Sequence, residues 1–352
     1  MSSKKEKIAT ASSKPRLVVV DLMVGLAMLQ VVMGHMSVGV EPDWYALGMR
    51  QWIYSFHMEL FVFLSAFLIR YSYKGVHSPL EYGQYIWRKF KKFFLWFLVI
   101  GMGIAILVPL FRHESLTADR LWQSFRTLLL YPRYSEASFL WYIYILFGFY
   151  LVSPLFFALP QLGRVLCCIA AMFLAMIEGN QLLCAYDFCN YTFFYCLGVL
   201  CAEWIEEIRG AKRWLWALLS VPFVVFSVWL FTDGCRYGYN FTLLGWWSLL
   251  TGVASLPFFY LLSLWLQKIK WVRQALTAIS ENCYLIYLLQ MFIIWGVCHL
   301  LNSVHLLPQV PFAILLIVNT ILAILIPILI AEAYKKLTKQ KKVKDPIQKE
   351  NR

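Results

Sequence analysis

Charged side chains are scarce in this chain of 352 residues, where Asp, Glu, Lys and Arg together make up 14%. Soluble globular proteins carry about 25% of them, so a water-soluble domain is excluded. A disordered chain is excluded too, because it would need high charge and few hydrophobic residues. Hydrophobic residues instead make up 61%, and the mean hydropathy is +0.64. This composition is typical of a helical membrane protein that crosses the bilayer many times.

Strand-like alternation and regularly spaced turns are also missing, which excludes a transmembrane barrel. In their place are apolar runs of about the length that spans a bilayer, roughly 20 residues. The runs cover about 17–38, 51–69, 93–111, 138–159, 165–179, 189–204, 214–231, 241–265, 282–300 and 312–333. They predict an all-α polytopic bundle of about ten spans.

Acidic residues are fewer than basic ones. The chain has 19 Asp and Glu residues and 32 Lys and Arg residues, which gives a formal net charge of +13. If the N-terminus is cytoplasmic, 26 of the 32 basic residues fall on the inner side of ten spans and six on the outer side. Because basic residues concentrate on the cytoplasmic side of membrane proteins, the positive charge indicates topology rather than nucleic-acid binding. We predict a basic cytoplasmic tail at 1–16, a transmembrane domain at 17–334 and a second basic cytoplasmic tail at 335–352.

Metal-ligand patterns are absent from the sequence. Its nine cysteines form no CxxC pair and no cluster with histidine, so no metal site is predicted. Six cysteines fall within predicted spans and are interpreted as small apolar packing residues. Cys184 and Cys189 lie near one predicted outer loop and are candidates for a disulfide.

Titratable side chains are rare within the spans, yet several occur near the N-terminus. Asp21 and His35 lie in the first span, and Glu59 lies in the second with His57 beside it. A charged group at mid-span costs on the order of 2.5–3.5 kcal/mol. Asp21 and His35 are 14 residues apart, so they share one helix face and lie about 21 Å apart along the axis. Asp21 is therefore expected at the cytoplasmic edge and His35 at the outer edge.

The outer group of His35, His57 and Glu59 predicts a catalytic site. The second span runs back inward, so His57 and Glu59 are expected at nearly the depth of His35. A carboxylate beside a histidine fixes its tautomer and stabilises the imidazolium while the ring acts as a general base. The alternatives are a structural hydrogen-bonded pair between helices and, for His57, an interfacial anchor. Asp21 fits a structural role better, tied to Arg16 or another basic group.

A basic cluster occupies the inner mouth of the third span, within YIWRKFKKFF at 85–94. Its members are Arg88, Lys89, Lys91 and Lys92. Anchoring on the cytoplasmic side explains such a cluster by itself. The functional alternative is a phosphate clamp, since Lys and Arg at helical spacing suit a nucleotide diphosphate.

The stretch RLVVVDLMVGLAMLQVVMGH at 16–35 resembles the first-span motif of the acyltransferase 3 family of integral membrane O-acyltransferases. The residues that fit this motif are Arg16, Asp21, Gly25 and His35. The stretch IYSFHMELFVFLSAFLI at 53–69 resembles the family's second span, and its FHM opening is similar to the branch that includes fucose 4-O-acetylases.

Later elements are similar to the family as well. They are LWYIYILF at 140–147, FFYCLGVL at 193–200 and ISENCYLIYLLQ at 279–290. Lys89 and Lys92 stand where the family has an Arg-x-x-Arg pair, and Gln290 replaces a late histidine. These departures from the family pattern affect the residues implied to contact the acyl donor and any role of position 290. They do not affect the role implied for His35.

The resemblance implies an enzyme that takes an acyl group, most simply acetyl, from cytoplasmic acyl-CoA and transfers it to a hydroxyl of a sugar or surface glycan. It implies a multi-pass protein of the bacterial inner membrane with no permanently bound cofactor. His35 would act as the base for the acceptor hydroxyl or as a transient acyl carrier, with Glu59 or His57 orienting it. The residues implied to bind CoA are Arg16, Arg88, Lys89, Lys91 and Lys92.

Two other functions stay open. A proton-coupled transporter would use Asp21, His35 and Glu59 as a relay, but it predicts Gly- or Pro-broken helices in paired halves, and the sequence shows no such repeat. A non-catalytic polysaccharide export or assembly protein is the other alternative. The basic cluster together with a buried histidine favours the enzyme over both.

Overall fold

The computed structural model describes residues 15–36, 41–175, 180–234 and 245–344. Within these ranges every regular element is helical and no strand occurs, which confirms the predicted all-α class. In chain order their α-helices are α1 (Val18–Gly34), α2 (Arg50–Tyr54), α3 (His57–Tyr71), α4 (Pro79–Lys89), α5 (Leu95–Phe111), α6 (Ala118–Leu130), α7 (Trp141–Ala158), α8 (Gln161–Leu174), α9 (Ala185–Glu203), α10 (Ile205–Gly210), α11 (Arg213–Trp229), α12 (Gly245–Leu266), α13 (Lys270–Glu281), α14 (Cys283–Ser303) and α15 (Phe312–Lys344).

Seven helical stretches of the described ranges are long and apolar enough to cross a membrane. They are Trp44–Tyr71, Pro79–Phe111, Ser138–Ala158, Arg213–Thr232, Ser248–Leu266, Cys283–Ser303 and Phe312–Thr338. Helices α1 and α8 are apolar but shorter, and α9 has 19 residues that include Asp187 and Asn190. The structure is therefore that of a helical membrane protein, while ten spans and two cytoplasmic termini stay predictions.

The segments between the apolar runs contain helices that hydropathy alone does not reveal. Helix α4 lies within residues 70–92, which were predicted to form an inner segment, and its first turn is capped. Ser78 Oγ accepts a hydrogen bond from the Glu81 N–H at 3.2 Å, and the Glu81 carboxylate accepts one from the His77 N–H at 2.7 Å. Such caps satisfy backbone groups that would otherwise be unpaired at a helix start. A π-helical turn at Phe90–Phe94 then joins α4 to α5.

Glycines set the closest approaches between helices. A Cβ on Gly198 of α9 would lie 2.3 Å from the carbonyl oxygen of Phe63 on α3. A Cβ on Gly25 of α1 would lie 2.5 Å from the carbonyl oxygen of Leu276 on α13. Small residues allow membrane helices to pack at such short distances. Helices α1 and α3, which flank residues 35–56, therefore each pack closely against a neighbouring helix.

Helices α1 and α3 run in opposite directions, which gives the bundle two distinct ends. At one end the Tyr54 hydroxyl donates to the Gly34 carbonyl at 2.8 Å, and at the other the Tyr71 hydroxyl donates to the Pro15 carbonyl at 2.8 Å. The first is called the histidine end, because α1 stops at His35 there and α3 starts at His57. The second is called the arginine end.

Carboxylate–arginine pairs mark the arginine end. Glu203 accepts hydrogen bonds from Arg70 at 2.7 Å and from Arg164 at 3.0 Å. These three residues come from α3, α8 and α9, so the pairing ties three helices together where each of them begins or ends.

Candidate active site

His35 directly follows the last residue of α1. Its backbone N–H donates to the Val31 carbonyl at 3.2 Å, which continues the helical bonding by one residue. Its Nδ1 atom is buried and has no hydrogen-bond partner among the described residues. Buried ring nitrogens of this kind are nearly always paired in proteins. The unpaired nitrogen therefore marks His35 as a candidate for binding or catalysis.

Gln290 of α14 lies against the His35 ring. Its side chain is fully buried, and neither its amide nitrogen nor its amide oxygen has a hydrogen-bond partner in the described part of the chain. The two side chains thus lie within interaction range of each other without a well-aligned hydrogen bond, and both keep unused hydrogen-bonding capacity. An amide in this place can orient the ring and can also contact a substrate.

His57 opens α3 and lies close enough to His35 for their rings to interact electrostatically. Its Nδ1 lies 2.9 Å from the Ile53 carbonyl oxygen. A carbonyl can only accept, so Nδ1 carries the hydrogen and the neutral ring keeps Nε2 as an acceptor. Tyr54 stacks on the ring with 5.0 Å between centroids and 21° between planes.

Glu59 makes its side-chain hydrogen bond to a residue of another helix and not to His35. Its Oε1 accepts a hydrogen bond from the Ser248 hydroxyl of α12, and no hydrogen bond joins it to His35 in the described structure. Successive helix residues turn by about 100°, so the side chains of His57 and Glu59 leave α3 about 200° apart. Only one of them can face α1, and that residue is His57.

A small polar cavity of about 50 Å³ lies on the side of α3 that carries Glu59. Its polar lining consists of Tyr54, Glu59, Tyr186, Asn190, Tyr191 and Ser248. Glu59 is 4% exposed, and its Oε2 is buried without a partner among the described residues. The cavity and the two histidines share Tyr54 as a common wall.

Arg133 and Asp187 form a fixed ion pair at the histidine end. Arg133 Nε lies 3.2 and 3.1 Å from the two Asp187 carboxylate oxygens, and its Nη2 lies 2.5 Å from one of them. The Asp187 side chain is 2% exposed, and the guanidinium carbon lies 3.6 Å from the centre of the Trp141 ring. The cation also acts electrostatically on Tyr54 and His57, so it belongs to the same site.

Sequence reasoning missed this pair. Arg133 counted only as one basic residue of an outer segment, and Asp187 lies at the edge of an apolar run. The available signal was Asp187 itself, a lone carboxylate close to a span. Gln290 was noticed only as a departure from the family pattern, and its contact with His35 is a tertiary feature.

Asp21 belongs to a structural cluster at the arginine end. It accepts a hydrogen bond from Arg16 Nε, and Arg16 Nη1 donates to Glu281 at the end of α13. Arg16, which the family resemblance implies for CoA binding, is thereby held between two carboxylates. This contact joins the start of α1 to α13.

The basic cluster at 88–92 follows the junction of α4 and α5. Arg88, Lys91 and Lys92 are exposed, whereas Lys89 is half-buried. Lys89 Nζ lies 4.1 Å from the centre of the Tyr150 ring and 5.5 Å from that of Tyr85. Lys91 Nζ lies 5.5 Å from the centre of the Trp87 ring and Lys92 Nζ lies 5.0 Å from that of Phe93, but both side chains and Arg88 remain exposed and open to an anion.

The proposed disulfide is not formed, since Cys184 and Cys189 are both free thiols. Cys184 adopts a left-handed backbone conformation with φ 54° just before α9, and it is fully buried, whereas Cys189 lies within the helix.

The chain was compared with known proteins. A family model described as an acyltransferase domain matches residues 17–332. Nodulation protein NolL of Sinorhizobium fredii (strain NBRC 101917 / NGR234) is 25% identical over 244 residues, which cover 66% of this chain and 62% of that relative. The match therefore spans less than two thirds of the relative's length. No solved structure matches the chain.

Proposed function

The chain belongs to the acyltransferase 3 family, and from this premise we propose that it is an integral membrane O-acyltransferase. It moves an acyl group, most simply acetyl, from acyl-CoA to a hydroxyl of a sugar or glycan. The observation that carries the proposal is the unpaired, buried ring nitrogen of His35, whose ring interacts with both Gln290 and His57. The neutral ring carries one nitrogen lone pair that can accept a proton from an acceptor hydroxyl.

His35 acts as the general base in the transfer. It removes the proton from the acceptor hydroxyl while the hydroxyl oxygen attacks the thioester carbonyl carbon. The carbon–sulfur bond then breaks, and the same proton passes to the departing CoA sulfur. The products are an ester and a free thiol, so no proton is gained or lost overall. Gln290 orients the ring during both proton transfers.

Arg133 supplies positive charge for the oxyanion that forms on the thioester carbonyl oxygen. Its Nε and Nη2 are occupied by Asp187, while Nη1 makes no hydrogen bond within the described residues. A preorganised donor aimed at a developing charge is among the largest contributions to catalysis. The fixed guanidinium at the histidine end fits that role.

The donor reaches the site from the arginine end, which we assign to the cytoplasm. Arg70 and Arg164 lie there, and both belong to the segments predicted to be on the inner side, which hold 26 of the 32 basic residues of the sequence. The exposed cations Arg88, Lys91 and Lys92 bind the CoA phosphates, and the thin pantetheine arm carries the thioester into the bundle. This proposal includes ten spans, residence in a bacterial inner membrane and modification of a cell-envelope glycan.

The test is acyl transfer by the purified protein from acetyl-CoA that carries a labelled acetyl group. His35→Ala should lower turnover by at least about 10²–10⁴-fold, the usual value of general-base assistance. His299→Ala is the matched control, because His299 is an exposed histidine on α14, and it should keep parental turnover.

Size-exclusion profiles of the detergent-solubilised variants separate misfolding from loss of catalysis. A monodisperse His35→Ala protein with near-parental turnover would rule out the mechanism. It would move the proton-coupled transporter or the non-catalytic assembly protein ahead of the enzyme.

A further inference from the structure

An apolar groove runs along the bundle between α11 and α12. Its walls also include residues of α1, α3, α9 and α10, and its volume is about 490 Å³. Leu219, Leu250 and Val253 line the groove and are exposed, so it is open along one side. Both α11 and α12 are long and apolar enough to cross a membrane. The open side therefore faces lipid, and a hydrocarbon chain can enter sideways from the bilayer.

The length of the groove matches one leaflet of a membrane. Trp216 and Phe226 of α11 both line it, and ten residues of helix rise by about 15 Å. This is half of the roughly 30 Å hydrocarbon core of a bilayer. A cavity of about 150 Å³ holds one benzene molecule, so a groove about three times as large has room for one acyl chain.

The end of the groove nearer the histidine end is apolar. Phe226 and Thr251 line it there. The Thr251 hydroxyl donates to the Ser55 carbonyl at 2.6 Å, so its hydrogen is already used. Apolar cavities stay dry but admit hydrocarbon, so this end suits the tail of a lipid.

The opposite end of the groove carries an unsatisfied donor. It lies at the arginine end, because α9 ends there at Glu203, and α10 and the first turn of α11 follow directly in the chain. The Nε1 atom of Trp216 is buried and has no hydrogen-bond partner within the described ranges. An indole N–H can only donate, and leaving it dry and unpaired is costly. The groove therefore calls for an oxygen acceptor at this end.

The mouth of the groove at the arginine end is basic. Tyr260 lines the groove there and packs edge-on against Trp216, with 5.7 Å between ring centroids. Arg209 and Arg213 both act electrostatically on Tyr260. Basic pockets between membrane helices on the cytoplasmic side bind anionic lipid headgroups.

The acidic residues nearby do not cancel this charge. The segment 205–213 holds three basic and two acidic residues. Arg209 lies 3.5 Å from Glu206 and shares its charge with that carboxylate. Arg213 is exposed at the start of α11, where an anionic group can reach it.

We propose that the groove binds one anionic glycerophospholipid of the leaflet at the arginine end. One acyl chain lies between α11 and α12, an ester oxygen accepts from Trp216 Nε1, and the phosphate pairs with Arg213. Trp216 follows Arg213 by three residues, a rise of about 4.5 Å, so the phosphate, the ester and the chain meet the protein in their natural order. Neither His35 nor Arg133 lines the groove, so the site is independent of the proposed acyl transfer.

The experiment is native mass spectrometry of the purified full chain, titrated in detergent with dioleoyl phosphatidylglycerol or dioleoyl phosphatidylcholine. The two probes have the same acyl chains, and only the first has a net charge. The anionic probe should form a one-to-one adduct. Its Kd should be at least about fivefold lower than that of the zwitterionic probe, the usual effect of one basic residue at an anionic headgroup.

Leu219→Trp tests the groove itself. Leu219 lines it from the exposed side, so a larger ring there fills the groove without replacing a core residue. The adducts of both probes should be lost. Leu218→Trp is the matched control, because Leu218 is an exposed neighbour that does not line the groove, and it should bind as the parent does.

Two further variants test the headgroup contacts. Trp216→Phe keeps a ring and removes the N–H, so the Kd of both probes should rise about two- to tenfold, the loss of one hydrogen bond. Arg213→Gln should raise only the Kd of the anionic probe and so narrow the preference between the two. Trp214→Phe and Arg126→Gln are the controls, because both residues are exposed and neither lines the groove.

Three results would overturn the site: no one-to-one adduct of either probe, equal Kd values for the two probes, or parental binding by Leu219→Trp. A polyprenyl phosphate that binds more tightly than phosphatidylglycerol would also overturn it, because the groove would then hold the lipid carrier of an acceptor. Loss of the anionic adduct in Leu219→Trp, with retention in Leu218→Trp, supports the site whether or not the protein transfers acyl groups.

Discussion

At the scale of single residues, Asp187 determines where the charge of Arg133 is held. Its nearly fully buried carboxylate binds the Nε and Nη2 groups, and the Trp141 ring covers a face of the guanidinium. Removing either partner leaves the other charge uncompensated, although the Arg133 side chain is 34% exposed and water would offset part of the loss. Arg133 is therefore held in one position, and its Nη1 group makes no hydrogen bond within the described residues.

Replacing Asp187 by Asn should lower kcat for acyl transfer by about 10²–10³-fold, the usual cost of losing one oxyanion donor. The acetyl-CoA KM should stay nearly constant, because the proposed phosphate contacts lie at the arginine end. Arg133→Lys keeps the charge but loses the planar fork, so it should have intermediate activity. Steady-state kinetics of monodisperse protein provide the measurement, and parental kcat in Asp187→Asn would contradict the assigned role.

At the scale of elements, the continuous helix Pro79–Phe111 presents its basic residues in two different ways. Lys89 lies over the rings of Tyr85 and Tyr150, where cation–π contacts hold it. Arg88 and Lys92 are exposed on the same helix. Truncating the half-buried Lys89 would therefore disturb packing more than truncating the exposed pair, in which only Lys92 contacts a ring, that of Phe93 at 5.0 Å.

The double variant Arg88→Ala/Lys92→Ala should raise the acetyl-CoA KM by at least about tenfold, because charge-assisted hydrogen bonds contribute about 1.5–3 kcal/mol each and these are partly screened by solvent. The acceptor KM should change little. Lys335→Ala/Lys336→Ala, which removes two exposed cations from α15, serves as the control for net charge. An unchanged acetyl-CoA KM would show that the cluster at 88–92 does not bind CoA and only anchors the helix on the cytoplasmic side of the membrane.

At the scale of the whole molecule, the two ends of the bundle carry different chemistry. The arginine end collects Arg16, Arg70 and Arg164 with their carboxylates. The histidine end collects His35, His57 and Arg133. This separation matches a reaction in which the donor phosphates and the acceptor arrive from opposite sides.

Reporter fusions test the orientation that this separation implies. A reporter after Arg352 should be active in the cytoplasm, and one inserted next to His305, between α14 and α15, should be active outside. The reason is the excess of basic residues on the predicted inner side. A C-terminal reporter found outside the cytoplasm would contradict the ten-span arrangement.

The sequence by itself determined that this is a helical membrane protein, where its apolar helical segments lie and to which family it belongs. These properties depend on local composition and on short motifs such as the one at 16–35. The structure confirms the all-α class, and the family match confirms the resemblance. The sequence analysis did not predict helix α4, because this helix is amphipathic and contains no long apolar run.

The partners within the site were decided only by the tertiary structure. Glu59 was expected at His35, but the turn of α3 directs it to Ser248, 189 residues away in the sequence. Gln290 reaches His35 from α14, and Asp187 reaches Arg133 across 54 residues. Hydropathy and residue spacing describe one helix at a time, whereas such contacts depend on how helices rotate and pack against one another.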